Sequence, residues 1–489
     1  MKTKYILILA ILTAGGTSVF GQESFEEWKR QQDTEFKRYV EEQDRQFAEF
    51  LEKEWEEFQA FKGMVFDEEP KPLYAPRVKP AASKDERAEA GAIDRKELTI
   101  PSPEKESTDT KPLNETEYTE KGPKRFTFTF FDTELSIEDP GKPELKVSLP
   151  LSNTSFSDAW LVLSEWGYTG VVEECQEIKK KTKLNDWGYY LLVHSLSTAM
   201  FPKNAVHRDT FSWFLLVQSG YDYRIGYNSD QVYLLVPTED KMYGVLYFYF
   251  DPSGPYYYFF NDGDPAQQVA QFYTYTGEPP EGGKAVEMSL KEVPVVLTGK
   301  SGRELFFMYK GKSYKISVNI DENLVTFGKY YPQTNIGHYF ATPVSPDTRH
   351  TLENSLKLLV ADLPETEAAN VLLRFVQTAF DYQTDQQQFG IEKPMFVEES
   401  LYYPYCDCED RSVFFSYLVE EILGLDVIGL DWPGHIATAV AFSKPVAGDS
   451  VTYKGKRYVI CDPTYINAGI GMAMPRYKGA APSVIEIRR

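Results

Sequence analysis

Acyl transfer by a thiol needs a nucleophile, a base that takes and returns its proton, and a third group that orients the base. The stretch Cys406-Asp407-Cys408-Glu409-Asp410-Arg411-Ser412 offers the first. It runs into Val413 to Leu423, apolar at helical spacing and stopped by Gly424, so Cys408 is expected at a helix N-terminus. Unpaired amides and the helix dipole favour negative charge there, which predicts a lowered thiol pKa. His435, in Pro433-Gly434-His435-Ile436-Ala437-Thr438, is the candidate base at the start of a strand behind a glycine turn. Asp462 is the candidate orienter. It follows the strand-like run Lys456 to Cys461 and precedes Pro463-Thr464-Tyr465, which cannot easily continue a central ladder.

If those two strands pair antiparallel, the start of one and the end of the other bring His435 and Asp462 to one end of a sheet, facing the helix of Cys408. In order, with these flanks, the three segments resemble the transglutaminase-like superfamily: Cys408-Glu409-Asp410-Arg411-Ser412, Gly434-His435 and Asp462-Pro463-Thr464. The resemblance runs from Glu365 to Pro475. The loop from Gly390 to Tyr405, with Glu399 and Tyr402, resembles exported bacterial members.

The resemblance implies a papain-like arrangement, a helix packed on an antiparallel sheet, and ping-pong acyl transfer on an amide through a thioester on Cys408. It also implies an oxyanion held by the Cys408 amide and one upstream donor, with Gln386, Gln387, Gln388, Tyr402, Tyr403 and Tyr405 as candidates. Cys406 and Cys461 depart from the pattern. They read as buried filler, as a redox brake on the site, or as a disulfide with each other.

The remaining chain supplies the setting. Met1 to Gln22 has the layout of a secretory signal peptide, with lysines at 2 and 4 and an apolar run from Tyr5 to Leu12, cut near Gly21. The chain is then exported, periplasmic or secreted. The apolar run is short of the roughly 18 residues of a membrane span. Residues 23–62 repeat an aromatic pair every eleven positions, Phe25/Trp28, Phe36/Tyr39, Phe47/Phe50 and Phe58/Phe61. Eleven residues make three turns, so the rings stripe one face of a helix. That stripe packs on itself as a coiled coil, on the protein's own body, or on a docking partner. Residues 64–123, rich in Pro, Lys, Glu, Ser and Thr, read as a disordered linker.

Folded structure is expected from the alternating Phe126-Thr127-Phe128-Thr129-Phe130 onward: an α+β region over 124–270, a strand-rich segment over 271–345, and the transglutaminase-like domain over 346–489. Laid without gaps, Phe211-Ser212-Trp213 falls on Phe415-Ser416-Tyr417 and Gly220 on Gly424. Asn204 then replaces Cys408, Gln231 replaces His435, and Asp251-Pro252 is a rough partner for Asp462-Pro463. Either chance or duplication accounts for this. A silent copy would bind rather than react, with Tyr256 to Phe260 as aromatic surface or as buried strand.

A net charge of −21 disfavours nucleic acid and anionic membrane surfaces as partners and leaves a protein or peptide. His194 reads as a satisfied core residue. His207, His338 and His350 form no metal spacing with the cysteines, so no metal and no cofactor is expected. Two function classes follow: a thiol peptidase, amidase or cross-linking enzyme, and a catalytically silent binding or scaffold protein.

Overall fold

The computed structural model describes residues 124–487, except 252, 268, 270, 271, 276–281, 297 and 298. The expected signal peptide, aromatic helix and linker lie outside the described residues. The Phe/Thr alternation forms β1 (Arg125–Phe130), which pairs antiparallel with β2 (Thr133–Glu138) and buries Phe128 and Phe130. Four helices follow: α1 (Asn153–Ser164), α2 (Tyr168–Lys181), α3 (Asp186–Met200) and α4 (Ala205–Gln218). Asn204 caps α4 by accepting the His207 amide at 3.0 Å, as a short polar side chain before a helix does.

The first large sheet then forms from β3 (Arg224–Tyr227), β4 (Val232–Thr238), β5 (Tyr247–Phe248), β6 (Tyr256–Asn261), β7 (Asp264–Pro265) and β8 (Tyr273–Thr274). Its order is β5-β6-β4-β3-β8, with β7 against β6. The expected strand over Val245 to Phe250 shortens to the two residues of β5. Tyr257, Tyr258, Phe259 and Phe260 are buried, so this run is core strand and not a binding surface.

The strand-rich segment is a hairpin and then helices. β9 (Lys300–Tyr309) and β10 (Lys312–Asp321) turn through Lys310 and Gly311, both left-handed as a two-residue hairpin turn requires. Beyond Asp321 the chain is helical, in α5 (Glu322–Gly328) and α6 (Ile336–Ala341). Asp321 accepts the Asn323 amide as the cap of α5, and Leu324, Val325 and Phe327 bury at helical spacing. The sequence expectation of strand across this part is therefore corrected.

α7 (Pro346–Val360) and α8 (Glu365–Thr378) lead to the short α9 (Asp385–Gln388) and α10 (Val397–Tyr402), then α11 (Cys408–Leu418). A π turn, Val419–Leu423, ends α11 at left-handed Gly424. The second sheet consists of β11 (Asp426–Trp432), β12 (His435–Ala441), β13 (Ser450–Tyr453), β14 (Lys456–Cys461) and β15 (Ser483–Glu486). Its order is β13-β14-β12-β11-β15, all antiparallel. The architecture is thus α+β, and one buried core runs from Phe128 through the first sheet to α8 and α11. No helix among the described residues is long and apolar enough to cross a membrane.

The two sheets share one plan. Strand for strand, β5-β6-β4-β3-β8 repeats β13-β14-β12-β11-β15, and each sheet follows a helix that ends at a left-handed glycine, Gly220 or Gly424. Register agrees as well: Arg224 faces Leu235 as Ile428 faces Ala439, both displaced by the same step in sequence. The third strand corrects the gapped guess. Phe260 faces Leu234 as Cys461 faces Thr438, so Asn261, not Asp251, stands where Asp462 stands.

Candidate active site

The head of α11 is fixed from three sides. Asp410 accepts the Asp407 amide at 3.1 Å and the Met395 amide at 2.8 Å, tying the first turn to the loop before α10. Arg411, fully buried, donates to the carbonyls of Gln377 and Phe380 at 3.1 and 2.8 Å, satisfying the otherwise orphaned end of α8. Ser412 donates to the Ile436 carbonyl at 3.0 Å, locking α11 onto β12 one residue beyond His435.

This docking brings the Cys408 thiol to the Ile436 amide, which donates to it. His435 and Asp462 stand at the same end of the sheet, because β12 begins where β14 ends. His435 Nε2 meets Asp462 Oδ2 at 2.8 Å, with both side chains buried. The other Asp462 oxygen accepts from the Thr464 amide and hydroxyl and from the Tyr465 amide, at 2.9, 2.7 and 3.1 Å. Burial pushes this carboxyl up, but His435 and the Thr464 hydrogen bonds outweigh it and hold Asp462 below the usual carboxylate range. Nδ1 is the ring nitrogen that Asp462 leaves for other work.

Two residues that sequence reasoning passed over complete the frame. Gln377 of α8 donates to the carbonyls of Asp462, Tyr465 and Ala468 at 3.1, 2.9 and 3.0 Å and accepts the Asn467 amide, pinning the loop after Asp462 from below. Tyr477 lies flat on His435, with centroids 4.9 Å apart and planes 4° from parallel, and the Arg476 guanidinium lies 4.7 Å from the centre of its ring. Neither has a motif. A buried glutamine inside an apolar helix is the one available sign for Gln377.

The thiol's electrostatics overturn the expectation of a lowered pKa. Burial, then the carboxylates of Glu409 and Asp407, push Cys408 well above the ordinary thiol range, and its Sγ donates to Glu409 Oε2 at 3.0 Å. Desolvation and two adjacent acids outweigh the helix dipole, which acts only within the first turn.

Among the expected oxyanion donors, Gln387 accepts the Thr384 amide at 3.3 Å in its own helix cap, and Tyr402 is exposed. Tyr403 packs edge-on against Phe389. Burial pushes the Tyr382 phenol up, with Cys408, Asp407 and Glu409 adding to it through their charges, and its ring lies 5.3 Å from the Arg411 guanidinium. All four cysteines are free and buried, so of the readings for Cys406 and Cys461 the disulfide is not formed.

No known protein family, curated protein or solved structure matches this chain. Its chemistry is read from the side chains alone. In the first sheet strand register puts Gln231 and Asn261 where His435 and Asp462 stand, whereas Asn204 caps its helix as Asp407 precedes α11, so Ala205 and not Asn204 holds the place of Cys408. Gln231 accepts the Asn228 amide and the Tyr233 hydroxyl, and Asn261 donates to the Val232 carbonyl at 2.6 Å. None is a nucleophile or a base. His194 packs beside this place with Nδ1 buried and unbonded, so it is not the satisfied core histidine that the sequence suggested.

Proposed function

We propose that this chain is an exported, transglutaminase-like thiol enzyme with a papain-like second sheet, acting on amide or peptide bonds. The observation that supports it is the His435–Asp462 hydrogen bond at 2.8 Å beside a helix-head cysteine that contacts the next amide of the His435 strand. Cys408 Sγ attacks the carbonyl carbon while His435 takes the thiol proton. The carbon–nitrogen bond breaks as His435 passes that proton to the leaving amine. Water or an amine then attacks the thioester, and the thiol leaves with its proton restored. Asp462 keeps the ring oriented and stabilises its charged form. The Cys408 amide and the Tyr382 hydroxyl are the candidate donors to the oxyanion.

The test is alkylation of the reduced chain by iodoacetamide, with the three C-terminal cysteines separated by mass spectrometry. His435→Ala should slow alkylation of Cys408 and leave the rates of Cys406 and Cys461 unchanged. A Cys408 rate that His435→Ala leaves unchanged would remove the reading.

A second reading rests on the raised Cys408 thiol and on the first sheet, where Ala205, Gln231 and Asn261 hold the places of the candidate triad. In it both sheets are binding scaffolds and the partner is a protein or peptide held without chemistry.

A further inference from the structure

The hairpin of β9 and β10 packs on α7 and α8, and its two edges are finished differently. Tyr309 stands opposite Lys312 across a two-residue turn, which makes that pair a hydrogen-bonded one. Alternation along an antiparallel ladder then turns the N–H and C=O groups of every second residue outward. On β10 the outward groups meet α7. The Asn319 and Asp321 amides donate to the hydroxyls of Thr351 and Thr348 at 3.0 Å each, and the Ser355 hydroxyl donates to the Ser317 carbonyl at 3.5 Å.

On β9 the outward residues are Gly302, Glu304, Phe306 and Met308. Among the described residues no hydrogen bond reaches their main chain. Gly302 has no side chain and is exposed, so the main chain itself faces solvent there. The side chains are as open. Leu305 and Phe307 bury as alternation requires, but Phe306 and Met308, 55% and 46% exposed, are apolar as well. Free edges are blunted by lysine, proline or a bulge. From Gly302 to Met308 this strand has none of these, and its pairing with β10 is unbroken.

An edge of this kind is matched by another main chain in extended form, because donors and acceptors recur along it at the same spacing. A second folded copy matches it less well. Phe306 and Met308 together offer far less than the roughly 800 Å2 per partner that a stable pairing of folded bodies needs. A single strand brings its affinity through main-chain hydrogen bonds and needs only alternate apolar side chains to lie beside these two. The edge is also tied to the surroundings of Cys408. Arg303 donates to the carbonyls of Leu401 and Tyr403 at 2.7 and 2.6 Å, which fixes the start of β9 to the loop leading into α11.

We propose that the open edge of β9 binds an extended peptide segment of a partner protein by strand addition, with apolar side chains beside Phe306 and Met308. This inference stands apart from the reading of Cys408 as a nucleophile. The experiment is fluorescence anisotropy of a labelled peptide of alternating valine and threonine with glutamate at both ends, titrated with the full chain carrying Cys408→Ala so that turnover does not enter. Saturable binding is expected. N-methylation of two adjacent central residues of the peptide, which blocks both of its edges, should weaken binding by at least about tenfold. Glu304→Pro should do the same, since that amide points outward and its loss breaks no bond of the hairpin. Phe306→Lys serves where Glu304→Pro does not fold. The proposal is overturned if no saturable binding is seen, or if the methylated peptide or both variants bind as the originals do. A chain that is dimeric in sedimentation, monomeric as Glu304→Pro and indifferent to the peptide would also overturn it, by assigning the edge to a second copy.

Discussion

Glu409 Oε2 accepts the Cys408 thiol proton at 3.0 Å, so the residue next to the candidate nucleophile holds it in its neutral form. Burial and the Glu409 charge act in the same direction on that thiol. Glu409→Gln removes the charge and keeps the shape. Alkylation of Cys408 at neutral pH should speed up by about tenfold, since one pKa step is a factor of ten in thiolate. No change in rate would show that burial alone sets the thiol.

Asp462→Asn should preserve the fold better than Asp462→Ala, because Oδ1 can still accept from Thr464 and Tyr465. The amide would present N–H to His435 Nε2 and reverse the ring's tautomer. Cys408 alkylation should slow, while urea unfolding should show a loss of about 1–3 kcal/mol for the charge-assisted bond.

Gln377→Ala leaves three buried carbonyls, those of Asp462, Tyr465 and Ala468, without their shared donor. Several orphaned acceptors at about 1–3 kcal/mol each would make this one of the most damaging single changes in the second sheet's surroundings. Denaturant unfolding should show a loss of at least about 2 kcal/mol, with slower Cys408 alkylation because the Asp462 loop is no longer pinned.

Asp209 gives a pH prediction far from Cys408. Burial pushes it up to about 8, only partly offset by the Asp262 amide that donates to it at 2.9 Å. Its folded pKa lies above the unfolded value, so unfolding releases a proton between roughly pH 4 and 8. This group's contribution to stability is therefore highest below pH 4, falls by up to about 1.4 kcal/mol per pH unit across the window, and levels off above about 8. Asp209→Asn should flatten that part of the curve in urea titrations run from pH 5 to 8.

Gly263 follows Asn261 by two residues at φ +88°, and a Cβ there would lie 2.4 Å from His194 Nε2. Gly263→Ala combines a left-handed backbone with a clash against a half-buried ring. A loss of about 1–3 kcal/mol is expected in thermal or urea unfolding, and His194→Ala should recover part of it by clearing the space.

The sequence by itself determined the local elements. The apolar run Val413 to Leu423 placed α11 and Gly424 ended it, because periodicity and terminal signals act within a turn or two. Alternation and the turns at Pro433-Gly434 and Lys310-Gly311 placed the hairpins, and the ungapped match from Asn204 to Val236 anticipated a second sheet with the same register as the first. Segments such as Glu322–Gly328 misled, since a short apolar run reads equally as strand or helix until its neighbours choose the buried face.

Tertiary structure alone decided the charge state around the thiol, the role of Gln377 and the place of Asn261. Each depends on groups distant in sequence: Asp385 and Glu392 arrive beside Asp407 and Glu409, Gln377 reaches across to the loop after Asp462, and strand pairing, not spacing, sets Asn261 opposite the equivalent ladder. Desolvation, too, has no sequence signal, as it is a property of what covers a residue and not of the residue itself.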